Sequence, residues 1–157
     1  GNLCQRVFSF IEKNCAGKLP KPDKLESSDN KLINDLLNKI PELVKDMDSQ
    51  KLTDYLKKVV GFSFDANKYF NDLQPWALKK TNIKRMNTIL HTIVTQIKNI
   101  SILLSPIIPI SSEKILDIMN LNKEERLLKS INNASIFKHN LEFKKTSILF
   151  KKIEDDN

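Results

Sequence analysis

Between Ile83 and Leu104 apolar side chains recur at Ile83, Met86, Leu90, Ile93, Val94, Ile97, Ile100 and Leu104. Three- and four-residue spacing held for about six turns sets these side chains along one side of an α-helix, and it fits no strand, whose period is two. A stripe of that length must be covered by other elements, and the chain's other apolar runs are also helical in period. The chain is therefore read as all-α: a helical bundle of about five helices with an irregular C-terminal tail.

The same period yields the remaining helices. Leu3, Val7, Phe10 and Ile11, with Cys4 and Phe8 alongside, predict a helix over about residues 2 to 15, ended by Gly17. Residues 18–30 carry Pro20 and Pro22 among lysines and make a connector, with Ser27, Ser28 or Asp29 able to cap the second helix. Leu32, Ile33, Leu36, Leu37 and Ile40 form the next stripe. Pro41 either kinks that helix or opens another one carrying Leu43, Val44 and Met47. Asp48 or Ser49 is the expected cap of a helix over about residues 50 to 72. Gly61 inside it costs about 1 kcal/mol relative to Ala, which points to a close helix contact there. Residues 71–75 read as a turn before Pro75, and Thr81 as the cap of the long helix. Pro106 and Pro109 end it, and Ser111 or Ser112 beside Glu113 starts a short helix through Met119. Past residue 120 the period weakens. Phe137, Leu141, Phe143, Ile148, Phe150 and Ile153 are expected to fold the tail back, giving a bundle over 1–121 and a tail over 122–157.

Several chemistries have no residues to carry them. Three glycines in 157 residues leave no glycine-rich phosphate loop. Cys4 and Cys15 lie eleven positions apart on one helix, about 16 Å at 1.5 Å per residue, too far for a disulfide. His91 and His139 are isolated from each other and from both cysteines, so no metal site is expected. No pair of carboxylates suits general acid–base work. No stretch approaches the roughly 18 apolar residues of a membrane span. Free cysteines and the missing span predict a reducing, cytoplasmic setting without membrane contact. The start at Gly1 rather than Met suggests a piece of something longer.

What the chain does have is charge beside an aromatic ring. Lys and Arg total 26 against 19 Asp and Glu, a net charge of +7. Trp76, the only tryptophan, comes directly after Pro75 and precedes Lys79, Lys80, Lys84 and Arg85. An aromatic face beside cations suits single-stranded nucleic acid, whose bases stack while its phosphates meet the cations. On the first helix Asn2, Gln5, Arg6, Ser9 and Lys13 share a polar face. Amide and guanidinium groups there have the donors and acceptors to read an unpaired base edge.

The segments Gly1-Asn2-Leu3-Cys4-Gln5-Arg6, Ala66-Asn67-Lys68-Tyr69-Phe70, Gln74-Pro75-Trp76-Ala77-Leu78-Lys79-Lys80 and Leu104-Ser105-Pro106-Ile107-Ile108-Pro109, in this order, resemble the C-terminal anticodon-binding domain of methionyl-tRNA synthetases. The proline-bearing stretch is shared with related class I synthetases and is weakly specific. The other three together are much more so. The resemblance runs from residue 1 to about 121, and Leu149 to Glu154 also looks like the end of that family's core enzyme. It implies a helical bundle that binds the CAU anticodon of methionine tRNA through an Asn and an Arg four apart on the first helix and a Trp after a Pro. Trp76 matches that Trp. Aligning the starts puts Gln5 at the Asn position and Ser9 at the Arg position, with Arg6 on the same face to supply the lost donors; Asn2 with Arg6 has the right types and spacing in a register three residues away. Gln5 with Arg6 is the preferred pair. Lys79, Lys80, Lys84 and Arg85 are candidates for the tRNA backbone.

The same resemblance implies a catalytically inert recognition half. ATP and methionine would bind a catalytic domain that is absent from these residues, as are its HIGH-like and KMSKS-like signatures. Competing readings are the anticodon domain of another class I synthetase and a helical adaptor that binds protein through Trp76.

Overall fold

A computed structural model describes residues 2–132 and 142–144. Among these described residues five α-helices run in order: α1 (Asn2–Asn14), α2 (Ser27–Asp48), α3 (Leu52–Leu73), α4 (Ile83–Leu104) and α5 (Pro109–Ile118). Short 3-10 turns cover Pro75–Leu78, Glu124–Arg126 and Leu128–Asn132. No strand appears among the described residues.

α4 is the axis of the bundle. Fifteen of its 22 residues are buried, too many for one stripe, so it is covered on several sides. α1, α2, α3, α5 and two of the 3-10 turns all pack against it. Only its first stripe residue departs from expectation: Ile83, at the very start of the helix, is 57% exposed. Leu36, Leu43, Val59, Ala66, Phe70, Leu90 and Ile93 are among the side chains closed off from solvent in the core.

Several element ends differ from the sequence reading, each for a local reason. α2 is uninterrupted through Pro41, whose ring lies on the exposed side. Its N-cap is Glu26, and Asp29 in the first turn accepts the Glu26 backbone N–H at 2.8 Å. Ser27, Ser28 and Asp29 are thus helical residues. Asp48 closes α2 and Ser49 is its C-cap, so α3 starts at Leu52 after Lys51. A Cβ built on Gly61 would meet nothing within 4 Å, which removes the expected close contact. α3 runs on to Leu73, and the turn narrows to Gln74, left-handed at φ 46°, whose N–H reaches the Phe70 carbonyl at 3.2 Å. Asn82, not Thr81, caps α4 by accepting the Arg85 N–H at 3.2 Å. Pro109 begins α5, because the first helical position needs no N–H donor, and Ser111 and Ser112 lie within the helix.

Gly17 ends the α1 segment in the left-handed region, at φ 70°, with its N–H on the Ile11 carbonyl. Its own carbonyl accepts the Phe143 N–H at 2.7 Å, and Lys144 N–H reaches the Ile118 carbonyl at 3.0 Å. Phe143 is buried with its ring edge-on to Phe8, centroids 5.3 Å apart. This part of the tail does return to the bundle. Phe137, Leu141, Ile148, Phe150 and Ile153 lie outside the described residues. Cys4 and Cys15 are free thiols, and burial raises the pKa of both, which suits packing rather than reactivity. His91 Nδ1 lies 3.2 Å from the Pro20 carbonyl and ties the connector to α4.

Candidate nucleic-acid interface

The end of α3 builds the site. Gln74 turns the chain out of the helix, Pro75 is buried, and the 3-10 turn that Pro75 opens lifts Trp76 to the surface, where it stays 41% exposed. Phe70 lies under it, 1% exposed, the two ring centroids 5.4 Å apart at 63°. An edge-to-face pair of this kind stiffens the indole without hiding it.

Arg6 comes to these rings from α1. Its guanidinium carbon lies 5.2 Å from the Phe70 centroid and 5.8 Å from that of Trp76, within cation–π range of both. Nη2 donates to Asn71 Oδ1 at 2.9 Å. Two candidates 70 positions apart in sequence are thus brought together. Asn2 is exposed one turn before Arg6 on the same side of α1, and half-buried Ser9 lies one turn beyond Arg6. Gln5 is also exposed, but about 100° around the helix from Arg6.

The cations divide into two kinds. Lys79, Lys80 and Lys84 are exposed just after the 3-10 turn and at the start of α4. Arg85, counted with them in sequence, faces inward. Its guanidinium grips the fully buried Asp29 carboxylate at 2.6 and 3.1 Å and also pairs with Glu26. Tyr69 hydroxyl donates to the same carboxylate. Burial pushes the Asp29 pKa up, yet Arg85, Tyr69 and the Glu26 N–H together outweigh it and hold the carboxyl below its usual range. Tyr69 is pushed up by burial and by that carboxylate. This network locks α2, α3 and α4 together, and it gives Arg85 a structural task.

Phe70 and Asn71 escape a reading of the sequence as site residues. Phe70 belongs to the apolar positions of α3, and Asn71 falls in the expected turn. The contact with Arg6 spans 65 positions and leaves no periodic trace. An apolar groove of about 460 Å³ lies at the opposite end of the helices, lined by residues such as Leu43, Met47, Tyr55 and Leu127. Arg126, which also lines it, is held by Glu113 and Asp117. That groove offers a nucleic acid little. Among the described residues no group of three His, Cys, Asp or Glu could hold a metal ion, and no helix is long and apolar enough to cross a membrane. An exposed indole, a guanidinium with free donors and three nearby lysines form a surface for stacking, edge recognition and phosphate contact.

Known proteins resemble this chain in sequence and in fold. The family described as the anticodon binding domain of methionyl tRNA ligase matches residues 19–157, a span that contains Trp76 and begins after α1. A methionine–tRNA ligase of Brucella suis is 36% identical over 126 residues, covering 80% of this chain and 24% of that protein. One from Rickettsia felis is 31% identical and covers 99% of this chain, α1 included, and 31% of its own length. Crystal structures of Mycobacterium tuberculosis methionyl-tRNA synthetase, one free and one with methionyl-adenylate, superpose with TM-scores of 0.87 and 0.88 at 26% identity. They cover 94% and 96% of this chain and 30% of the enzyme. The chain spans about a quarter to a third of the length of these relatives.

Proposed function

The chain belongs to the anticodon-binding domains of the methionyl-tRNA ligase family, and from that membership we propose that it recognises the CAU anticodon of methionine tRNA. The observation that carries the reading is the convergence of Arg6 on the partly exposed Trp76 ring. An unpaired base stacks on the indole, and the Arg6 guanidinium donates to the N3 and O2 acceptors of a cytosine. Asn2 supplies an amide one turn away to accept from N4. It replaces Gln5 as the preferred partner because it shares Arg6's side of α1. Lys79, Lys80 and Lys84 meet backbone phosphates, which position the strand without reading it. Arg85 is left out of the contact set.

On this reading the chain is the recognition part of an ATP-dependent ligase working in the cytoplasm on methionine tRNA. ATP and methionine bind a catalytic domain outside these residues, and the bundle itself supplies no reacting group.

The test is binding of the chain to an anticodon stem-loop bearing CAU and to one with uracil at the first position. CAU is expected to bind more tightly. Trp76→Ala should weaken CAU binding by about 1 to 3 kcal/mol while far-UV circular dichroism stays unchanged. Equal binding of both stem-loops, or an unaltered affinity for Trp76→Ala, would overturn the reading.

A further inference from the structure

We propose that Asn71 is a positioning residue that sets the Arg6 guanidinium for base discrimination. The inference rests on the anticodon reading above and deepens it.

Arg6 is exposed, and an exposed arginine samples many rotamers unless something holds it. Three groups of one short stretch do so. Phe70 and Trp76 limit its height over the rings, and Asn71 Oδ1, one residue beyond Phe70 on α3, takes Nη2 at 2.9 Å and fixes its rotation. A guanidinium carries five N–H donors in a planar fork, so the bond to Asn71 leaves four for a ligand. The arrangement thus orients the fork without exhausting it.

The chemistry of the acceptor matters as much as its place. An amide oxygen holds the guanidinium yet leaves its charge uncompensated. A carboxylate at the same position would make an ion pair and cancel the charge that a polyanionic strand seeks. Asn71 also sits in the last turn of α3, where unpaired carbonyls make the helix end favourable for a cation. Orientation and charge are both kept for the ligand.

The experiment measures affinity for the CAU stem-loop and its first-position uracil counterpart with the unaltered chain, Arg6→Ala, Asn71→Ala, the double variant and Asn71→Asp. Asn71→Ala is expected to lower the preference for cytosine about five- to tenfold, with an unchanged melting temperature. The double variant should lose no more discrimination than Arg6→Ala alone, because the two residues act through one contact. Asn71→Asp keeps the acceptor, so it should retain the preference while binding both stem-loops more weakly. A full preference in Asn71→Ala, or losses that add in the double variant, would overturn the role of Asn71. An unaltered chain with no preference at all would instead overturn the anticodon reading itself.

Discussion

At the scale of single residues, side chains of one chemical type are sorted by what surrounds them. Lys84 and Arg85 are neighbours in sequence and equally cationic, yet Lys84 faces solvent and Arg85 faces a buried carboxylate. Removing Arg85 leaves Asp29 buried with one strong donor fewer, so Arg85→Ala should destabilise the fold by about 3 kcal/mol at neutral pH. The pH dependence has the same origin. A carboxyl held below its ordinary value contributes stability above its unfolded pKa and loses it as pH falls through its folded one. The gap between the unaltered chain and Arg85→Ala should therefore narrow on acidification, as urea denaturation at pH 7 and at pH 3 will report. Parallel curves at the two pH values would mean that Asp29 is not the group Arg85 serves. Nothing in the local sequence around Arg85 foretells this. The lysines beside it support a surface role, and its partner lies 56 positions away.

At the scale of elements, the helices are legible because each carries its stripe over many turns, while their ends depend on contacts or backbone states that composition does not encode. Thr81 and Asn82 are both good capping residues, and the structure uses the second. Pro41 shows the limit more clearly. Helix and break are both open in the sequence, and the surrounding turns of α2, which bury Leu36 and Leu43 and pack on α3 and α4, carry the helix past the missing N–H. Gly61 makes a testable case. It lies within α3 with open space where a Cβ would stand, so no close approach offsets its entropic cost. Gly61→Ala should stabilise the chain by up to about 1 kcal/mol, seen as a higher melting temperature with stem-loop affinity unaltered. A lower melting temperature would reveal a neighbour that the open space conceals.

At the scale of the whole molecule, the bundle has two unlike ends. Arg6, Trp76 and the exposed lysines gather where α3 ends and α4 begins, while the apolar groove lies where α2 and α4 end, about 33 Å away along helices of 22 residues. On the proposed anticodon reading, a polyanion is drawn to the first end by charge, and that part of its binding weakens with salt. Replacing Lys79, Lys80 and Lys84 by Gln should flatten the dependence of log affinity on log salt by about two to three units, lowering affinity for the CAU and uracil stem-loops alike. A slope that does not change would place the phosphate contacts elsewhere on the surface. The sequence by itself determined the all-α class, the order of the five helices and the candidacy of Trp76, because helical period and residue type are local properties. It also determined which first-helix residues face outward, since a period of 3.6 sets faces without knowing what covers them. Only the tertiary structure decided that Arg6 meets Trp76, that Asn71 holds it and that Arg85 turns inward. These are contacts between segments 56 to 70 residues apart, and they are set by how α1, α2 and α3 pack around α4 rather than by any spacing along the chain.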